Sequence, residues 1–125
     1  MLPEVAKAVD GLRACFPDAV VTSREDGEGG AYVVIESLPV KGCSVQSTWV
    51  GFRIAYTYPN SDVYPLYVRG DLRRPDGSIP PACTATGFEG RDALQVSRRS
   101  TRWDPRTNRA DLKVLKVLRW LEAPK

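Results

Sequence analysis

The sequence predicts a single α+β domain over residues 1–125: an N-terminal helix, a four-stranded antiparallel meander, an irregular crossover and a C-terminal helix. Three observations predict it. Apolar residues recur at helical spacing near both ends of the chain, they alternate with polar ones in the middle, and Gly- and Pro-rich turns separate the segments. With 125 residues and 42% apolar content, one hydrophobic core is expected and a second domain is not.

Leu2, Val5, Val9, Leu12 and Phe16 recur at spacings of three and four and form the apolar stripe of the opening helix. Pro3 suits its first turn and Pro17 ends it. Ala19–Thr22 is a short β-rich run, Asp26–Gly30 a turn, and Ala31–Ile35 the next strand. In the segment from Trp49 to Tyr58, Phe52, Ile54, Tyr56 and Tyr58 alternate with Arg53, Ala55 and Thr57, the period-2 pattern of a strand with one buried face. Tyr58-Pro59 stops that strand, because proline cannot donate to a sheet ladder. Tyr64-Pro65 then opens Leu66-Tyr67-Val68.

From Arg69 to Gly90 the chain reads as mainly irregular, with Pro75-Asp76-Gly77 as a turn and Pro80-Pro81 excluding helix. Ala93–Ser97 is a final extended piece. A closing helix from about Ala110 to Leu121 has Asn108 as its N-cap and Asp111 three residues on. Leu112, Leu115, Leu118 and Leu121 form its expected apolar stripe, widened by Val114, Val117 and Trp120.

Composition excludes several chemistries. The formal charge of +3 is mild and alone does not argue for nucleic acid. There is no histidine, which removes the commonest general base and any Ser-His or Cys-His couple. The three cysteines, Cys15, Cys43 and Cys83, are few, odd in number and widely spaced, so free thiols in a reducing cytosol are expected rather than a disulfide framework or a zinc site. No metal or cofactor is expected. No segment reaches the roughly 18 apolar residues of a membrane span, and MLPEVAKAVDG carries no signal-peptide apolar region, so a cytoplasmic protein is expected.

Gly51-Phe52 on a strand, the pairs Tyr58-Pro59 and Tyr64-Pro65 around a polar hairpin, Trp103-Asp104-Pro105 and a following amphipathic helix occur in that order. This order resembles the ubiquitin-conjugating enzyme family, although the two Tyr-Pro pairs stand further apart here than the family's aromatic-proline pairs. The chain is most similar to prokaryotic members that lack the catalytic cysteine. The resemblance sets Leu94 against the leucine that follows the family's cysteine, so Ala93 stands where the nucleophile would be, and a methyl group cannot form a thioester. The family's His-Pro-Asn is missing as well. The resemblance therefore implies a non-catalytic domain that binds a ubiquitin-like protein or another protein of a ubiquitin-like conjugation pathway. The alternative is an active conjugating enzyme with Cys83, the one cysteine in the crossover, as thioester carrier.

Two surfaces are candidates for partner binding. Arg98, Arg99 and Arg102, with Arg106 and Arg109 beyond, concentrate guanidinium groups against a single acid, Asp104. They suit a carboxylate-rich protein surface or, as a second alternative, a nucleic-acid backbone. The plain alternative is a solvated loop whose arginines pair with Asp92, Asp104 or Asp111. The other surface is the sheet face around Trp49, since an exposed tryptophan on a sheet is a common protein-contact anchor. Trp103 and Trp120 are expected in the core, Cys15 as a core filler and Cys43 as an accessible loop thiol.

Overall fold

The opening stripe forms helix α1, Pro3–Cys15, with Val5, Val9 and Leu12 buried on one side. The computed structural model describes residues 1–122. Six strands follow: β1 (Val21–Glu25), β2 (Ala31–Pro39), β3 (Ser47–Ile54), β4 (Leu66–Arg69), β5 (Cys83–Phe88) and β6 (Arg91–Val96). Helix α2, Ala110–Glu122, closes the described chain. None of the described helices is long and apolar enough to cross a membrane.

All pairings are antiparallel and the strand order is β1-β2-β3-β4-β6-β5. The expected four-stranded meander is present as the first four strands. The hairpin β5–β6 extends it to six, which corrects the expected strand count and the expected irregular run to Gly90. Residues 70–82 are irregular as expected, but Cys83–Phe88 is a strand. It escaped a pattern-based reading because Thr84, Ala85, Thr86 and Gly87 are all exposed, so no apolar alternation marks it. Its register comes instead from a continuous ladder with β6 and from the turn, where Glu89 and Gly90 both take left-handed φ values of 49° and 76°. Two consecutive residues with positive φ are what a two-residue I′ hairpin turn requires.

Alternation sorts the strands' side chains into two layers. Val33, Ile35, Val50, Phe52, Leu66, Val68, Leu94 and Val96 face both helices and join Val5, Leu12, Val114 and Val117 in the main core. The opposite face gathers Val34, Phe88 and Ala93 under Tyr32, Trp49 and Tyr67. β3 ends at Ile54, earlier than expected; Tyr56 is exposed and Tyr58 is buried in the turn beyond it.

On α2 the buried residues are Ala110, Lys113, Val114, Val117, Leu118 and Leu121. Of the expected stripe, Val114, Val117, Leu118 and Leu121 are buried and Leu112 and Trp120 half-buried, but Leu115 is 42% exposed. Steps of three residues turn a helix through about 300°, so such a stripe drifts by about 60° per step and leaves the core face. Asn108 does not cap the helix through its side chain. Its Oδ1 accepts from the Asp104 backbone N–H at 2.7 Å, while the Ala110 N–H donates to the Tyr58 hydroxyl at 3.1 Å. The aromatic-proline turn and the start of α2 are thus tied together directly.

Candidate functional site

The arginine-rich segment between β6 and α2 is fixed at its base by a charged cluster. Lys113 lies on the buried face of α2 and is only 4% exposed. Its Nζ donates to both carboxylate oxygens of Asp62 at 3.1 Å, to the Arg98 carbonyl at 2.9 Å and to the Ser100 hydroxyl at 3.0 Å. Asp62, in the hairpin between the two Tyr-Pro pairs, also accepts from the Ser100 N–H at 2.8 Å and hydroxyl at 3.0 Å. One carboxylate and one ammonium therefore hold loop, hairpin and helix together. Burial pushes the Lys113 ammonium below the usual lysine range, Asp62 opposes that, and the nearby cations Lys116 and Arg98 add to the depression.

Above this base the five arginines divide into two groups. Arg106 pairs with Asp104 at 3.2 Å and Arg109 with Asp111 at 3.0 Å, the local pairing that a plain solvated loop implies. Arg98, Arg99 and Arg102 are exposed and none is in an ion pair among the described residues. Arg98 lies over the Trp120 ring at 4.8 Å and Arg99 over the Tyr64 ring at 4.2 Å. Stacking engages the flat face of a guanidinium and leaves its in-plane N–H groups directed outward. A cavity of about 170 Å³ opens between these two arginines, Lys116 and the Ser100–Thr101 turn, with Lys113 at its floor.

The second candidate surface is covered by the protein itself. The β5–β6 hairpin bends across the helix-free face of the sheet, and Phe88 at its end stacks on Tyr67 at 4.5 Å and on Trp49 at 6.2 Å. Gly51 permits this approach, since a Cβ there would meet the Phe88 ring at 2.5 Å. Ion pairs tether the tip: Arg91 to Glu36 on β2 at 2.6 Å, and Glu89 to Arg24 on β1, the far edge of the sheet, at 2.7 Å. Arg91 also caps the Trp49 ring at 5.1 Å and holds the Glu36 carboxyl below its usual range. Trp49 is half-buried in this second cluster rather than standing as an open anchor. What remains on this side is a hollow of about 690 Å³ at the sheet end beside Trp49, where Glu36, Arg69, Asp71, Arg73 and Asp92 carry mixed charge.

Ala93 is 1% exposed on β6, opposite Arg69 of β4 and Thr86 of β5. The position that the family resemblance gives to the nucleophile thus lies inside a strand, under the aromatic cluster. Cys83 opens β5, half-buried and packed against the main core. Cys43 is likewise half-buried rather than accessible, and its thiol donates to the Leu121 carbonyl at 3.7 Å. Cys15 lines a groove between α1 and the start of α2 instead of filling the core, and burial beside Asp111 pushes its thiol up, away from the reactive thiolate. Trp103 packs against Tyr58 and donates its indole N–H to the Pro59 carbonyl at 2.6 Å, so it braces the turn as an inward residue should.

Asp62, Ser100 and Lys113 are site residues that sequence patterns did not select. A signal was present for Lys113, which falls at helical spacing with Ala110, Val114 and Val117 and so places a cation within a buried stripe. Comparison with family models, with curated proteins and with solved structures gave no match to this chain.

Proposed function

We propose that this domain is a non-catalytic, ubiquitin-conjugating-enzyme-like scaffold of the bacterial cytosol. In this reading it binds a ubiquitin-like protein, or another protein of a ubiquitin-like conjugation pathway, through the loop bearing Arg98, Arg99 and Arg102. Support for the architecture comes from the order helix, meander, hairpin and helix, and from Trp103 braced on the first Tyr-Pro turn. Support for the absence of catalysis comes from Ala93, a buried methyl group at the inferred nucleophile position. The observation that carries the choice of surface is the contrast between three exposed arginines without carboxylate partners among the described residues and a sheet face whose centre Phe88 covers. Charge-assisted hydrogen bonds from such donors to carboxylates are directional as well as strong.

Two experiments test this reading. Incubation with an activating enzyme, its ubiquitin-like substrate and ATP should yield no adduct that reducing agent removes. An adduct that disappears in Cys83→Ser would make the protein an enzyme. Replacing Arg98, Arg99 and Arg102 together by glutamate should weaken association with the ubiquitin-like protein more than tenfold, about 1.4 kcal/mol or more. The fold should survive, because exposed substitutions rarely cost more than about 0.5 kcal/mol each.

A further inference from the structure

The cavity behind the arginines has the composition of an oxyanion site, and this holds whether or not the loop also meets a protein partner. Four cations surround it: Arg98, Arg99 and Lys116 on its walls and Lys113 at its floor, against one carboxylate, Asp62, which is itself engaged by Lys113 and Ser100. Among the described residues no carboxylate lines the cavity, and the Thr101 hydroxyl adds a neutral donor. Its volume of about 170 Å³ is well below the roughly 300–1,000 Å³ of drug-sized sites, so it admits a small group and not a nucleotide.

The donors are also held in place in advance. Arg98 is stacked on Trp120 and its carbonyl is fixed by Lys113, while Arg99 is stacked on Tyr64. A stacked guanidinium loses less freedom on forming each hydrogen bond than a free one does. Two planar forks, an ammonium and a hydroxyl around a small cavity can engage the three free oxygens of a phosphate group from different sides, and the excess of cations favours a dianion over a singly charged carboxylate.

We propose that this cavity binds the dianionic phosphate group of a phosphate monoester. Arg98 and Arg99 grip its oxygens through their outward N–H groups, and Lys116 supplies the third charge. Lys113 keeps the loop in position through its bonds to Asp62, the Arg98 carbonyl and Ser100, and adds its charge to the floor of the cavity.

Titration with inorganic phosphate, followed by amide shifts in nuclear magnetic resonance and by calorimetry, tests the proposal. Saturable one-to-one binding is expected, with shifts centred on Ser100, Thr101 and the Lys116 turn. Arg98→Gln with Arg99→Gln should weaken it more than tenfold, Lys116→Gln by severalfold, and Arg102→Gln, which lies outside the cavity, by less than about twofold. Arg98→Lys with Arg99→Lys keeps the charge but loses the fork, so it should recover only part of the loss. A short phosphoserine peptide should compete with inorganic phosphate, which identifies the group as recognised on a carrier. Non-saturating shifts overturn the proposal, as does equal weakening by Arg102→Gln. Binding to vesicles containing phosphatidic acid, or to a single-stranded oligonucleotide, without any saturable response to inorganic phosphate would overturn it in favour of a lipid surface or a phosphodiester backbone.

Discussion

On the helix side of the sheet, Phe52, Leu94 and Val114 are fully sealed from solvent by two helices, whereas on the other side Phe88 covers the strands from the tip of a hairpin. The first side is continuous hydrocarbon, and its stability scales with area removed from water. The second is a smaller aromatic cluster whose lid depends on Gly51 and on two ion pairs, the half-buried Arg91–Glu36 and the more exposed Arg24–Glu89. Ion pairs that remain in contact with solvent contribute modestly each, so the Phe88 ring is the main anchor of the lid. The difference explains why a sheet with helices on only one face need not offer the other to a partner, and why the arginine loop is the more available surface.

The largest effect expected from breaking either side is that of Phe52→Ala, which should cost about 4 kcal/mol, the range for emptying a sealed aromatic site. Phe88→Ala should cost about 2 kcal/mol, because the hairpin tip can settle into part of the space. Chemical denaturation of the two variants side by side checks this; equal losses would mean that both faces are cores of the same kind.

Asp62→Ala falls between them, at about 3 kcal/mol. It leaves the Lys113 ammonium buried without its carboxylate, and removal of one member of a buried pair is costly. It should also release the Ser100 turn, visible as faster amide exchange at Ser100.

Gly51→Ala sharpens the comparison through coupling. Alone it should cost about 1–3 kcal/mol, since its methyl group drives into the Phe88 ring. In the Phe88→Ala background the same change should cost clearly less, only the Trp49 ring at 3.1 Å remaining close to the added methyl, and a double-mutant cycle measures the difference. Additive losses would mean that Gly51 is required for something other than the lid.

The smallest effect is that of acid. The Arg91 hydrogen bond lowers Glu36 below its ordinary 4.5, and the Glu28 backbone N–H, chiefly, with Arg53 lowers Asp26 below its ordinary 3.8. The unfolded chain therefore takes up protons before the folded one as pH falls, so the stability these two carboxylates contribute is fully present above about pH 4.5 and is lost progressively below it. Urea midpoints at pH 7, 4 and 3 read this. Glu36→Gln should flatten the slope slightly, since one of the shifted groups is gone.

The helices and the meander were legible in the sequence because their apolar spacing is periodic and their ends carry Pro3, Pro17 and Pro59. β5 was not legible, because an exposed edge strand of Thr, Ala and Gly has no buried face to leave a pattern. The hairpin lid was hidden for a different reason. Glu89 and Arg24 are 65 residues apart, and no local pattern encodes a contact of that range. In the candidate site, Arg98, Arg99 and Arg102 were visible as a charge run, but which arginines are spent on local carboxylates depends on the turn at Asp104. Lys113 was not singled out, because the leucines at three-residue spacing drew attention past the one cation lying among Ala110, Val114 and Val117.

In the proposed reading the loop, and not the sheet, meets the partner. The most direct test is the affinity for a ubiquitin-like protein from the same genome, measured for two surface variants of equal fold stability. Arg98→Glu, Arg99→Glu and Arg102→Glu combined reverse the loop's charge, while Thr86→Glu places a charge on the exposed edge strand beside the sheet-end hollow. That reading predicts a more than tenfold loss for the loop variant and less than about twofold for Thr86→Glu. Full binding by the loop variant, with loss in Thr86→Glu, would contradict it and move the interface to the sheet edge.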